Sequence, residues 1–192
     1  MKKIAIFASG AGSNAQKIIE HFHHTNNGTA EVALVVSNKP TAGVLWIAEK
    51  ENIPTLLIDK ERFFKEDGYV PVLLEKKIDF IVLAGFLWKI PQALIDAYRN
   101  RIINIHPALL PKYGGKGMYG SFVHEAVVNA KESESGITIH YVDEHYDNGD
   151  IIFQAQCPVH PFDTPEMLAE RIHALEHKHY PVVIEELLTN LS

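Results

Sequence analysis

The sequence predicts an α/β fold: a mostly parallel twisted sheet flanked by helices, followed by an antiparallel β-hairpin and a long final helix. Three observations predict it. Short apolar runs alternate with amphipathic segments between residues 4 and 105, and such alternation implies parallel strands with helices on both faces. A glycine-rich turn, Ser9-Gly10-Ala11-Gly12-Ser13-Asn14, separates the first run from the first amphipathic segment. Beyond residue 135 the pattern changes to residue-by-residue alternation, the mark of antiparallel pairing. Together these make the architecture Rossmann-like.

The elements follow in order. Ile4 to Ala8 reads as a buried strand, and Asn14 to His24 as a helix with Ile18, Ile19 and Phe22 on one side. His21, His23 and His24 end that helix, where a cationic ring suits the dipole. Ala30 to Ser37 is the second strand, Gly43 to Glu51 a helix ending before Pro54, and Thr55 to Ile58 a short strand. Lys60 to Lys77 is mostly helical, with a break imposed by Gly68 and Pro71. Asp79 to Leu83 is apolar enough to be buried on both faces. Pro91 opens a helix to Tyr98, and Ile102 to Ile105 is the next strand. Gly136 to Asp143 sets Ile137, Ile139 and Tyr141 against Thr138 and His140. Ile151 to Val159 follows across an Asp/Asn/Gly turn, completing a hairpin. Thr164 caps a helix that runs to Leu188, with Pro165 at its first position and a kink expected at Pro181. No repeat or linker interrupts residues 1–192, which read as a single domain.

Composition narrows the function. A chain of 192 residues carries enough apolar sequence for a sizeable core, and its net charge of −6 argues against nucleic acid as a partner. No apolar run approaches the roughly 20 residues of a membrane helix. The lone Cys157 excludes an internal disulfide and fits a cytoplasmic location. Met1-Lys2-Lys3 and the run after it enter a glycine-rich turn, so they read as a first strand and not as a signal peptide.

The chemistry is concentrated in Ile102-Ile103-Asn104-Ile105-His106-Pro107. Here an apolar strand ends by presenting an amide and an imidazole at its carboxyl edge, where open α/β sheets bind ligands. Asn104 can donate to a developing oxyanion, and His106 can also donate to it or shuttle a proton near neutrality. Asp147, in Asp147-Asn148-Gly149-Asp150, is placed to raise the pKa of that imidazole, with Asp150 as a rival carboxylate. The Ser9–Asn14 turn suits an anion at a helix N-terminus. It lacks the third glycine of a dinucleotide fingerprint and the Lys of a P-loop, so it reads either as an anion site of another kind or as a tight strand-to-helix connection. His173-Ala174-Leu175-Glu176-His177 fits an inverted zinc string, but no further ligand is evident, so no metal is expected.

These strings, with Leu83-Ala84-Gly85-Phe86 and Leu109-Leu110-Pro111-Lys112-Tyr113, resemble the folate-dependent formyltransferases, and within them the glycinamide ribonucleotide transformylase family. The resemblance covers nearly the whole chain. It implies transfer of formyl from 10-formyltetrahydrofolate, a co-substrate, to the amine of glycinamide ribonucleotide in purine biosynthesis. Asn104, His106 and Asp147 match the family's catalytic residues, and His140 matches a supporting histidine. Gly12, Ser13 and Asn14 match the phosphate segment, and Glu176 a residue near the ribose. Leu87, Trp88, Lys89 and Ile90, with Asp143, Glu144, His145 and Tyr146, match the folate pocket. Lys89 stands one place beyond the family's usual basic position, and Trp88 reads either as a pterin contact or as packing. Gly114 to Gly120 departs from the family's shorter loop, and reads either as a closing loop or as a plain connection. Small-molecule substrates and a monomer or homodimer are implied. The formyltetrahydrofolate hydrolases and methionyl-tRNA formyltransferase share the Asn, His and Asp but carry additional domains. A phosphate-binding module without catalysis would have little use for those three residues together.

Overall fold

The computed structural model describes residues 1–25 and 28–191, except the side chains of residues 24 and 25. Among these, seven strands form one sheet: β1 (Lys2–Phe7), β2 (Ala30–Ser37), β3 (Thr55–Leu57), β4 (Phe80–Leu83), β5 (Ile102–His106), β6 (Glu134–Tyr141) and β7 (Ile151–Pro158). Their order is β3-β2-β1-β4-β5-β6-β7. The first five are parallel, while β6 runs antiparallel to both β5 and β7. The chain leaves β1 towards β2 on one side and returns to β4 on the other. The order of strand addition therefore reverses between β1 and β4, and a crevice opens beyond the carboxyl ends of those strands.

The helices are α1 (Ser13–Thr25), α2 (Gly43–Lys50), α3 (Lys60–Phe63), α4 (Val70–Glu75), α5 (Gln92–Ala97), α6 (Ser121–Asn129) and α7 (Pro165–Thr189). Strand periodicity divides the core between two faces. Ile4, Ile6, Val82 and Ile103 pack with α1, α2 and α7, whereas Ala5, Phe7, Ile81, Leu83 and Ile102 pack with α3, α4 and α5. Both sides are covered, which is why these strands read as continuous apolar runs.

Most sequence-predicted elements are present with small boundary changes. The segment Lys60 to Lys77 divides more widely than expected, because Asp59 caps α3 and Gly68 takes a positive φ before α4. The link between β6 and β7 spans residues 142–150, so it is no tight hairpin turn. Helix α7 continues through a buried Pro181 to Thr189. Helix α6 has no counterpart in the sequence reading. Of the histidines near the end of α1, His21 pairs with Glu185 at 2.7 Å and His23 with Glu51 at 3.3 Å. The side chain of His24 lies outside the described residues.

Two contacts fix the site's frame. The hydroxyl of Tyr180, fully buried on α7, donates to the Leu83 carbonyl at 2.9 Å. This pins α7 beneath the end of β4 and sets Glu176, one turn earlier, at the crevice. Ser9 at the end of β1 donates to Asn38 Oδ1 at 2.6 Å and accepts the Leu87 N–H at 2.9 Å. The chain after β4 is thereby tied to the glycine-rich turn.

Candidate active site

The crevice is a cleft of about 790 Å³, lined from the Ser9–Asn14 turn through the 84–90 segment to β5 and the 142–147 link. The end that gathers the candidate catalytic residues is built by strand pairing. Asn104 on β5 stands opposite His140 on β6, and His106 opposite Thr138. His140 donates from Nδ1 to the Tyr141 carbonyl at 2.8 Å, and in the tautomer with its one ring hydrogen there Nε2 is an acceptor. Asn104 Nδ2 lies 3.3 Å from that Nε2, so one amide hydrogen is engaged and the amide orientation is set. The sequence alternation leaves a surface histidine equally open at position 140, but the ring is 2% exposed.

His106 is similarly held. Its Nε2–H donates to the Tyr113 carbonyl at 2.7 Å, and Nδ1 faces Asp147 Oδ2 at 3.5 Å. Asp147 takes a positive φ that brings its carboxylate under the loop, where Oδ2 accepts the Gly115 N–H at 3.0 Å. Its Oδ1 lies 3.6 Å from His140 Nε2. Burial pushes the Asp147 carboxyl up, but His140, His106 and the Gly115 N–H outweigh it and hold it below the ordinary value. For His106 the balance falls the other way. Burial lowers its pKa more than Asp147 and the Tyr113 carbonyl raise it. The expectation that Asp147 raises the imidazole pKa is thus right in sign for that pair and wrong for the net shift, because the ring is almost fully enclosed.

At the opposite end, Gly12 has φ +86°, and a Cβ there would stand 2.8 Å from Val44 Cβ. Only glycine allows α1 to begin so close to α2. Asn14 Nδ2 donates to Glu176 Oε2 at 2.9 Å, joining the first turn of α1 to α7. Glu176 is buried, and burial raises its pKa despite that bond.

Residues 2–184 match the formyl transferase family. The chain belongs to that family. It is 45% identical over 189 residues to a chloroplastic phosphoribosylglycinamide formyltransferase of Arabidopsis thaliana, covering 95% of this chain and 64% of the relative. To the phosphoribosylglycinamide formyltransferase of Bacillus subtilis it is 40% identical, covering 98% of this chain and 95% of that protein. The crystal structure of the Bacillus halodurans phosphoribosylglycinamide formyltransferase superposes with a TM-score of 0.88 at 39% identity, covering 97% and 95% of the two chains. The fold is therefore that of the formyl transferase family.

Most sequence-predicted site residues share the one cleft. Gly12, Ser13, Asn14, Leu87, Trp88, Lys89, Ile90, Asn104, His106, His140, Asp143, His145, Tyr146, Asp147 and Glu176 all line it. Glu144 does not; it is exposed, in a link whose neighbouring residues line the cleft. Asp150 is exposed at the start of β7 and also lies outside the lining. Trp88 both lines the cleft and packs on Phe63, Phe64 and Phe86, with ring centroids 5.6–6.2 Å apart. Lys89 lies 5.8 Å from the Tyr146 ring centroid. The Gly114–Gly120 segment reaches the cleft through Gly115 to Gly120.

Sequence reasoning missed Thr138, Gln154, His124 and the inward role of His173. Thr138 donates to the Ala108 carbonyl at 2.7 Å and accepts from Leu110 N–H and from Gln154 Nε2, clamping the chain after His106 to the sheet. Its place on the polar face of β6 was the available signal. His173 lines the cleft and stacks on His177 with centroids 6.2 Å apart. Among the described residues, no group of three or more His, Cys, Asp or Glu is arranged to hold a metal ion.

Proposed function

We propose that the chain transfers formyl from 10-formyltetrahydrofolate to the amine of 5-phosphoribosylglycinamide, a step of de novo purine biosynthesis. One observation carries this reading: Asn104, His106, His140 and Asp147 converge at one end of a cleft whose other end is the Gly12–Asn14 turn. The phosphate is held at that turn on the N-terminus of α1, and Glu176 meets the ribose.

With one amide hydrogen held by His140, Asn104 offers the other to charge developing on the formyl oxygen. A donor aimed in advance is worth on the order of 3–4 kcal/mol. His106 is anchored through Nε2, so Nδ1 is the nitrogen free to take the proton that the attacking amine must lose. Its lowered pKa keeps the ring neutral at pH 7 and ready to accept. Asp147 stabilises the imidazolium that results, and the ring then returns the proton to the departing nitrogen.

The arm lined by Leu87, Trp88, Ile90 and Val142 is apolar, which fits a flat pterin. Leu87, Trp88, Lys89, Ile90, Asp143, His145 and Tyr146 would hold the folate, with Glu144 at the solvent edge. The folate supplies the formyl carbon that the amine attacks. In this reading residues 1–192 act as a single formyltransferase domain in the cytoplasm, as a monomer or homodimer on small molecules. No metal, nucleic acid or membrane takes part.

The test is a spectrophotometric assay of 10-formyltetrahydrofolate turnover with and without the ribonucleotide. Turnover that requires the ribonucleotide and is lost in His106→Ala is expected. Turnover without it indicates a hydrolase, and none under either condition overturns the assignment.

A further inference from the structure

We propose that His124 binds the ribose-phosphate portion of the substrate through its Nε2–H, an inference that rests on the ribonucleotide reading above. His124 is on α6, where it lines the cleft although its side chain is 4% exposed. Its Nδ1 is sealed from solvent and has no hydrogen-bond partner. Burial, with His173 and His106 nearby, pushes its pKa down to about 4. The ring is therefore neutral at pH 7 and carries a single N–H.

The orphaned nitrogen decides where that hydrogen resides. A buried N–H without an acceptor is rarer and more costly than a buried lone pair without a donor. The favoured tautomer thus leaves Nδ1 as the unpaired acceptor and puts the hydrogen on Nε2. With Nδ1 packed into the protein, the ring edge bearing Nε2 is the one presented to the cleft.

Position narrows the ligand. His124 interacts with His106 at the reactive end and with His173, which shares α7 with Glu176. It therefore stands on the cleft wall close to both the Asn104–His106 end and the α7 residues that include Glu176, the residue assigned to the ribose. Asn14 and Glu176, joined through Asn14 Nδ2, line the same cleft. A donor at His124 suits the hydroxyl and phosphate oxygens of a ribose phosphate and has no counterpart in an apolar pterin wall.

The experiment compares wild type with His124→Phe, which keeps a ring without the donor, and His124→Asn, whose amide stops at the Nδ1 position. His124→Gln places an amide N–H near Nε2. KM for the ribonucleotide is expected to rise about tenfold in the Phe and Asn variants, the effect of one lost hydrogen bond, and to recover in Gln. kcat and the KM for the formyl donor should stay within about twofold. Removing the orphan means His124→Phe should melt no lower than wild type. Calorimetric titration with ribose 5-phosphate and with inorganic phosphate locates the contact. Weakening with both puts it on phosphate, and weakening with the sugar phosphate alone puts it on ribose. An unchanged ribonucleotide KM together with unchanged binding of both probes overturns the proposal. Failure of the function itself looks different: wild type then does not formylate the ribonucleotide, whatever His124 does to ribose 5-phosphate.

Discussion

The two ends of the cleft are built on opposite principles. Where β5 meets β6, each imidazole nitrogen has a partner: Tyr113 and Asp147 for His106, Tyr141 and Asn104 for His140. Along the α6 wall of the cleft the pairing is incomplete: His124 has Nδ1 sealed without a partner and presents its Nε2 edge to the cleft. Groups that stabilise a fleeting charge must be oriented before it appears, since reorganising them later adds to the barrier. Groups that recognise a substrate can leave a bond open for the substrate to complete. Buried polar groups without a partner are uncommon enough that one on a cleft wall marks a ligand's place.

If this contrast is functional, the ends separate kinetically. The largest expected effect is from Asn104→Ala, which removes the aimed donor and releases His140 Nε2. It should lower kcat by about 10²–10³-fold, with little change in the KM for the ribonucleotide. Steady-state kinetics with each substrate varied in turn make the measurement. A variant that instead raised KM at constant kcat would mean that Asn104 holds the ground state, and the contrast would collapse.

Gly12→Ala strikes the other end. The added methyl meets Val44 Cβ at 2.8 Å in a backbone with φ +86°, so the turn must shift. Strain of this kind costs of order 1–3 kcal/mol, which lowers Tm by roughly 3–10 °C for a chain of this size. The displaced N–H groups should raise the ribonucleotide KM about tenfold while kcat for the folded enzyme holds. Thermal melts and kinetics on one preparation separate the two effects. Equal loss of kcat would show that the phosphate turn also positions the amine.

The same contrast explains what the sequence could convey. The reactive end was legible because Asn104 and His106 interrupt an apolar strand, and a polar residue in such a run needs a reason. The parallel strands were legible because burial on both faces leaves them uniformly apolar. Helix α6 was not, because Gly120 precedes it without a side-chain cap and Phe122, Val123, Val127 and Val128 give it weak helix propensity. Packing against α7 decides its conformation, and no local signal reports that. His124 was one of 11 histidines, and what sets it apart is burial without a partner, a property of the folded chain alone. Glu144 is exposed and outside the cleft lining while its sequence neighbours line it, because adjacency along the link does not decide which side chains reach the cleft.

The smallest effect tests how the reactive end is tuned. His106 titrates below the ordinary 6.5 because burial exceeds the opposing pull of Asp147. Asp147→Asn removes that pull and leaves burial, so the His106 pKa should fall further. Two-dimensional NMR of the His106 Cε1–H would follow it, and the acid limb of kcat/KM should move down with it. The sign extends to stability. A histidine kept neutral in the folded state takes up its proton more readily when unfolded, so stability falls as pH drops below about 6.5. Asp147→Asn should deepen that fall for His106. An upward shift would mean that the mutant opens the site to water and relieves burial. No shift would mean that the carboxylate, 3.5 Å from Nδ1, acts mainly through its hold on the Gly115 N–H. In that case the reactive end is organised by the glycine loop, and the proton on His106 is governed by enclosure.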